Sequence, residues 1–422
     1  MKLEDIINRD IVCSCGQVHR CDIEYLIIDN NALKRLSECV KKYSKILLIA
    51  DNNTYPIYEK YVAQYLNNVE KICRLTSKGH LVPDEQAIEK IESLLDSDID
   101  FILGVGSGVI NDLCKFVSFN HKLKCGIIAT APSMDGYASS GAALIEKGMK
   151  VTYTTHAPSL IVGDVDILKN APIEMIRSGY ADIIGKYSAL CDWKLSNCVN
   201  GEYLCENVYS WVMDDTNKIR SIAKGIAERD EEAIKELMQS LILIGVCMTL
   251  VSTTRPASGS EHHMSHYFEI TGLINNSPYF AHGIDVGYST VVTASIREEI
   301  CKILNPKLYH ISDFEREKAY KKIYGPIWKE VWDLQEESQS YEKFDDNKYI
   351  EKWDEILKIL EECPDADEIK CMLTDVGIDL DLFEKQYGLE KIQNGVWFSK
   401  DLKNRYSVLW IYDFLFFDNS KA

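Results

Sequence analysis

The chain has 422 residues, 46% apolar and 27% charged, with a formal net charge of −18. That length outgrows one ordinary core and suits two globular domains, and the composition excludes a disordered chain. The acidic balance, with no basic stripe to offset it, argues against a nucleic-acid partner; no apolar run of roughly 18 uncharged residues marks a membrane span, and the polar start MKLEDIINRD is unlike a secretory signal.

The first feature in chain order is 13-CSCGQVH-19, followed by Cys21. A glycine-turned β-hairpin is expected there. A metal clip is the alternative, although C-x-C lacks the usual two-to-four-residue knuckle spacing of zinc sites. The 14 cysteines show no framework spacing, so reduced thiols and a cytoplasmic location are expected.

Next, 45-KILLIAD-51 reads as a strand ending in Asp51, and NNTYPIYEKYVAQYL after it as a helix. Segment 69-VEKICRL-75 reads as a strand, SKGHLVPD as a loop and EQAIEKIESLLDS as a helix. Then 99-IDFILGVGSGVINDLCKFVSF-119 is strand, glycine turn and helix, 124-KCGIIATAPS-133 is strand into loop, and 159-SLIVGD-164 is a further short strand. Such alternation predicts a parallel sheet covered by helices. Beyond about residue 168 long helical patterns take over, at 172–196, 217–251 and 284–304, and the charged, aromatic tail from about 311 also reads as helical. The predicted organisation is an α/β domain over 1–167 and an all-α domain over 168–422.

In 104-GVGSGVIND-112, Gly104, Gly106, Ser107 and Gly108 stand between strand and helix. Glycines let the backbone approach a phosphate, and the helix start offers N–H groups with positive dipole character. The spacing is tighter than G-x-G-x-x-G, so an ordinary βα turn reads the same residues equally well. Asp51 could accept from a ribose diol or simply cap a turn. The loop 130-TAPSMDGYASSGAAL-144 strings Thr130, Ser133, Asp135, Ser139 and Ser140 among small residues. Short hydroxyls and one carboxylate suit a pocket for a polyhydroxylated ligand or a cofactor amide. A solvated loop is the alternative, and the apolar flanks favour the pocket.

The stretch 255-RPASGSEHHMSHYFEI-270 holds three of the chain's nine histidines. Ser258-Gly-Ser-Glu261 reads as a capping box, so a helix is expected to begin here. His262 and His266 then share a face, and His263 points about a quarter turn away. Such a pair could hold a divalent metal, or divide between metal and substrate; core or solvent-facing imidazoles are the plain alternative. His282 in 279-YFAHGID-285 opens the next helix. Asp182 in 178-SGYADIIGKYSAL-190 is a carboxylate on an apolar helix face, costly unless paired or metal-bound. One carboxylate and two imidazoles would leave positions open for water and substrate.

Together, GVGSGVIND, TAPSMDGYASSGAAL, GYADIIGKYSALCDWKLS, RPASGSEHHMSH and AHGIDVG resemble the glycerol-1-phosphate dehydrogenases, most closely the bacterial branch. That family lies in the group containing iron-type alcohol dehydrogenases, glycerol dehydrogenase and dehydroquinate synthase. The resemblance runs in order from about residue 45 to about 300. It implies a dehydroquinate synthase-like fold, with a Rossmann-like nucleotide-binding domain followed by a helical metal- and substrate-binding domain. It further implies that Gly104, Gly106, Ser107 and Gly108 cradle the pyrophosphate of NAD or NADP, with Asp51 near the adenine ribose. Thr130, Ser133 and Ser139 would touch the nicotinamide half, and Asp135 a substrate hydroxyl. Asp182, His262 and His282 would hold one divalent metal, with Asp182 also near the substrate, while His266 faces the substrate and His263 has no assigned role. Valine replaces the middle glycine of the group's GGGS-type turn. The tail beyond about 305 matches no general pattern and is expected to carry contacts of a homodimer or larger oligomer.

The implied reaction is hydride transfer between NAD(P)H and C2 of dihydroxyacetone phosphate, giving sn-glycerol 1-phosphate. The metal acts as a Lewis acid and His266 sits in a proton relay. Arg255 is the candidate for the substrate phosphate, weighed against a structural ion pair, with Lys186 as a second. Asp51 favours NAD over NADP, and zinc, nickel or ferrous iron all suit the ligands. The alternatives are a glycerol or other polyol dehydrogenase, a dehydroquinate synthase (against which TAPSMDGYAS argues), and a metal- and nucleotide-binding protein without turnover.

Overall fold

The apolar runs read as strands are buried on both faces, as a parallel sheet requires: Ile46 to Ala50 and Phe101 to Leu103 are wholly inaccessible. Each such aliphatic or aromatic side chain contributes about 1.5–3 kcal/mol on burial. The computed structural model describes residues 3–77, 81–343 and 345–417. The expected loop SKGHLVPD therefore lies partly outside the described residues.

The strands are β1 (Ile11–Val12), β2 (Val18–His19), β3 (Tyr25–Asp29), β4 (Ile46–Asp51), β5 (Val69–Leu75), β6 (Phe101–Gly106), β7 (Lys124–Ala129), β8 (Gly141–Glu146), β9 (Met149–Thr154) and β10 (Leu160–Asp164). β1 and β2 pair antiparallel as the expected hairpin, and β8 and β9 form another. The main sheet is parallel, in the order β3-β10-β7-β6-β4-β5. After β4 the chain adds β5 at one edge, then returns to place β6 on β4's other side. That reversal opens a crevice at the carboxyl ends of β4 and β6, where open α/β sheets bind ligands. Asp51 ends β4, and Gly106 ends β6.

The helices are α1 (Leu36–Val40), α2 (Tyr55–Ile57), α3 (Glu85–Glu92), α4 (Gly108–Asn120), α5 (Val165–Leu168), α6 (Ile173–Ile184), α7 (Lys186–Asn200), α8 (Glu206–Ser221), α9 (Ala223–Ala227), α10 (Glu231–Val251), α11 (Ser260–Ile274) and α12 (His282–Cys301). The tail adds α13 (Asp313–Tyr324), α14 (Trp328–Ser338), α15 (Asp346–Glu351), α16 (Trp353–Glu361), α17 (Ala366–Asp375), α18 (Asp381–Phe398) and α19 (Val408–Phe416). The pattern over 172–196 is two helices, because Gly185 caps α7. The pattern over 217–251 breaks where the Asp230 side chain accepts from Ala233 N–H and starts α10.

The chain forms two compact units, the first of Met1–Glu146, Lys150–Ile183 and Asn217–Thr254, the second of Lys147–Met149, Ile184–Thr216 and Arg255–Ala422. The boundary expected at residue 167 is thereby corrected, since α6 and α10 belong with the sheet. Glycines make the reason visible. A Cβ on Gly179 of α6 would lie 1.9 Å from the Pro132 carbonyl oxygen, and one on Gly245 of α10 would lie 2.8 Å from that of Asp135. Both helices press bare backbone onto the loop after β7. Contrary to the sequence reading, α10 is long and apolar enough to cross a membrane, yet 78% of its apolar window is buried inside the protein. It has the composition of a core helix.

Candidate active site

In the first unit the glycine turn divides by role. Gly104 lies inside β6, paired to Ile49 and Ile127, and a Cβ there would meet Cys114 Sγ at 2.8 Å. It is a packing glycine, and these contacts account for it without a phosphate. Gly106 closes the strand against Ile110, and Ser107 caps α4 in an extended conformation without a side-chain cap bond. The first N–H groups of α4 are left for an anion. Asp51 uses Oδ1 for its own turn, accepting from Asn53 N–H and Thr54 N–H at 2.8 Å each and from the Thr54 hydroxyl at 3.0 Å. Its Oδ2 stands outside this set.

The loop after β7 is held from α4 by two side chains that sequence reading passed over. Buried Lys115 donates to the carbonyls of Gly136 at 3.0 Å and Gly141, and to the Ser139 hydroxyl at 3.2 Å, while pairing with Asp112 at 2.9 Å. Asn111 Nδ2 donates to the Gly136 and Tyr137 carbonyls at 3.3 Å. The signal was present in NDLCKF: a cation among apolar helical residues is costly unless paired. The Ser139 hydroxyl, expected at the nicotinamide, shares its one hydrogen within the loop between the carbonyls of Gly136 and Gly141, at 3.0 and 3.1 Å. Thr130 and Ser133 are buried, and Thr130 N–H bonds the Gly106 carbonyl at 3.0 Å, so the loop starts beside the glycine turn. Asp182 is wholly buried on α6, and its Oδ2 accepts the Asp135 N–H at 3.0 Å. The first unit thus brings the two expected carboxylates, Asp135 and Asp182, to one place.

In the second unit α11 begins at Ser260, with Gly259 as its cap. The expected capping box is absent. Asp192 of α7 replaces it, accepting the Ser260 N–H at 2.6 Å, and Glu261 accepts the Gly259 N–H at 2.8 Å. Burial holds the Asp192 carboxyl up at about 6, and raises that of Glu261 as well. His262, His266 and His282 gather, with ring centroids 5.1 Å apart for His262 and His282, 5.7 Å for His266 and His282, and 6.1 Å for His262 and His266. His263 is apart from them, fully buried, with both ring nitrogens lacking a hydrogen-bond partner; burial holds its pKa well below the ordinary value.

Two neighbours select the tautomers. Glu261 Oε1 lies 2.7 Å from His262 Nδ1, so that nitrogen carries the proton and Nε2 keeps its lone pair. The Ser265 hydroxyl lies 3.3 Å from both His282 Nδ1 and the His282 carbonyl. It has one hydrogen, which goes to the carbonyl, so it accepts from Nδ1 and leaves Nε2 of His282 unprotonated. An imidazole donating Nδ1–H to protein and presenting Nε2 is the form a metal binds. The donor chemistry therefore fits a divalent cation.

Arg255 is not arranged for a phosphate. Nearly inaccessible, it forks onto Glu202 at 2.8 and 2.5 Å and donates to the Tyr406 carbonyl at 2.7 Å. The structural ion pair describes these contacts. Lys186 is also buried and donates to the Ala257 carbonyl at 3.0 Å.

With this geometry in place, comparison with known proteins gives consistent matches. Residues 27–172 match the iron-containing alcohol dehydrogenase family. A glycerol-1-phosphate dehydrogenase [NAD(P)+] of Halalkalibacterium halodurans is 34% identical over 67% of this chain and 73% of its own. The chain belongs to the glycerol-1-phosphate dehydrogenases. The family's enzyme from Geobacillus thermodenitrificans is 28% identical, over 89% of this chain and 88% of its own. Among solved structures, sulfoacetaldehyde reductase from Bifidobacterium kashiwanohense in complex with NAD+ has a TM-score of 0.57 at 14% identity, covering 95% of this chain and 99% of its own. That likeness carries the fold alone, the dehydroquinate synthase-like one. The segment matched by the alcohol dehydrogenase family runs from β3 to just before α6, the part built around the glycine turn.

Proposed function

We propose that this chain is an NAD(P)-linked, metal-dependent dehydrogenase interconverting dihydroxyacetone phosphate and sn-glycerol 1-phosphate. The carrying observation is the pair of imidazoles in the second unit, His262 and His282, each with Nδ1 tied to its own protein partner and Nε2 presented. In this reading Asp182 from the first unit joins them as the third ligand of one divalent cation, zinc, nickel or ferrous iron.

When bound, the cation supplies Lewis acidity at the substrate C2 oxygen. The remaining tasks fall to side chains. Gly106, Ser107 and Gly108 take the dinucleotide phosphates at the start of α4, and Asp51 Oδ2 accepts from the adenine ribose, favouring NAD over NADP. Thr130 and Ser133 line the nicotinamide half on a loop that Lys115 and Asn111 hold fixed. Asp135 accepts from a substrate hydroxyl, its own N–H orienting Asp182. His266 passes a proton between solvent and the C2 oxygen, as an imidazole does near neutral pH.

The test is NADH and NADPH oxidation by metal-stripped protein with Zn²⁺, Ni²⁺ or Fe²⁺ restored in turn, comparing dihydroxyacetone phosphate with dihydroxyacetone. A strong preference for the phosphorylated ketone is expected. Equal rates would make the enzyme a glycerol dehydrogenase, and no turnover on any ketose would make it a binding protein. The reading includes a homodimer or larger oligomer, supported by exposed Leu304, Phe314 and Leu389 in the second unit, and sedimentation checks it. It also includes a cytoplasmic setting, supported by the absence of a disulfide among the 14 cysteines; cell fractionation checks that.

A further inference from the structure

The β1–β2 hairpin is short on ordinary reasons to be ordered. Its strands have two residues each, and the cross-strand pair Val12 and Val18 faces outward at 85% and 61% exposure. A two-stranded ribbon of this size is marginal in water without a staple. Its turn is nevertheless well defined. Cys13 N–H donates to the Gln17 carbonyl and Gly16 N–H to the Cys13 carbonyl, both at 3.0 Å, with Gly16 at φ +86°, a left-handed value that glycine adopts without strain. The turn brings Cys13, Cys15 and His19 together so that one ligand atom from each lies within 4.8 Å of the others. Cys21 is outside this cluster.

His19 is prepared as a ligand in the same manner as the histidines of α11 and α12. Its Nδ1 lies 2.7 Å from the Leu250 carbonyl oxygen, which can only accept. The proton therefore resides on Nδ1, and Nε2 turns a lone pair toward Cys15 Sγ at 3.3 Å. Donors around a tetrahedral zinc, bonded at about 2.0–2.3 Å, stand roughly 3.5–3.8 Å apart, so a small adjustment of side chains suffices. A backbone carbonyl orienting the imidazole is the usual outer support of a zinc-bound histidine.

We propose that Cys13, Cys15 and His19 ligate a thiophilic divalent cation of the zinc class, distinct from the cation of the dehydrogenase site. Two soft sulfurs and one imidazole select zinc over magnesium or calcium. Binding displaces the two thiol protons to solvent, with no redox change. The cation ties turn to strand and orders the hairpin, a structural rather than a catalytic service. The C-x-C spacing, shorter than a common knuckle, is met because His19 returns from the opposite strand.

The experiment is cobalt substitution of the full-length protein. The dehydrogenase ligands contain no sulfur, so sulfur-to-cobalt charge-transfer absorption reports the hairpin alone. The band is expected in wild type, unchanged in His262→Ala, and lost in Cys13→Ser/Cys15→Ser. Metal analysis of the zinc-loaded protein should fall by one cation per chain in that double variant. Should the double variant misfold, His19→Gln with both thiols present reports instead, by a weakened, shifted band. Cobalt-loaded wild type without the band, or a band that survives the double variant, overturns the proposal. So does a freshly purified chain in which peptide mapping under non-reducing conditions finds a Cys13–Cys15 disulfide.

Discussion

Glu261 and His262 are neighbours in sequence and partners in space: a carboxylate oxygen of one lies 2.7 Å from Nδ1 of the other, on consecutive residues of α11. The bond fixes the ring's tautomer before any cation arrives. Glu261 is fully buried, so the bond is not diluted by water. Glu261→Gln keeps an acceptor and the shape but removes the charge. Divalent-metal affinity should weaken about 10–100-fold while kcat at saturating metal changes little. Metal titration followed by activity reads both. An unchanged dissociation constant would mean that the carboxylate serves only the helix start.

Gly179 offers a steric test of the loop after β7. Its missing Cβ would sit 1.9 Å from a backbone oxygen of Pro132, which cannot swing aside as a side chain can. Gly179→Ala should cost at least about 3 kcal/mol by overpacking and displace the loop, raising KM for the dinucleotide more than that for the ketone. Gly201→Ala is the control. Gly201 has φ +69° but no atom within 4 Å of its Cβ position, so strain alone applies, about 1 kcal/mol. Thermal melts and steady-state kinetics on both variants decide; equal melting shifts would contradict the packing account.

The parts legible in the sequence were those that local chemistry dictates. Strands β4, β6 and β7 are apolar runs of the right length, and a carboxylate at Asp182 or imidazoles at His262 and His282 advertise themselves by type and spacing. What escaped is set by contacts distant in sequence. The cap of α11 comes from Asp192, 68 residues before Ser260, so SGSE looked self-sufficient. Lys115 lies in a segment that reads simply as helix, because the carbonyls it holds lie 21 to 26 residues further on. The unit boundary failed for the same reason: α6 and α10 read as ordinary helices, and only their bare glycines mark the backbone they cover.

Asp192 and Asp413 make stability depend on pH in an unusual direction. Burial lifts each carboxyl from 3.8 to about 6. With the folded value above the unfolded one, the native chain holds the extra proton between about pH 4 and 6. The stabilisation is therefore complete below the ordinary carboxylate pKa and lost as pH rises through about 6. Asp192→Asn removes one such group. Measured against wild type by chemical denaturation, this variant should gain up to about 3 kcal/mol in relative stability between pH 4 and 7. A pH-independent difference would show that Asp192 is ionised throughout.

Arg255 separates a structural from a substrate-binding cation. Its fork closes on Glu202 through Nε and Nη2, and a lysine offers a point charge where two parallel donors are needed. Glu202 is itself held below the ordinary carboxylate range by Arg255, although its own burial opposes this, so the pair loses on both sides when the fork is broken. Arg255→Lys should cost about 2 kcal/mol of stability, discounted because Glu202 is partly exposed, and leave the preference for dihydroxyacetone phosphate over dihydroxyacetone within about threefold of wild type. The ratio of kcat/KM for the two ketones, taken at a temperature where the variant is folded, is the deciding measurement. A fall of about 100-fold in that ratio would return the phosphate to Arg255, since only a group touching it distinguishes the two ketones so sharply.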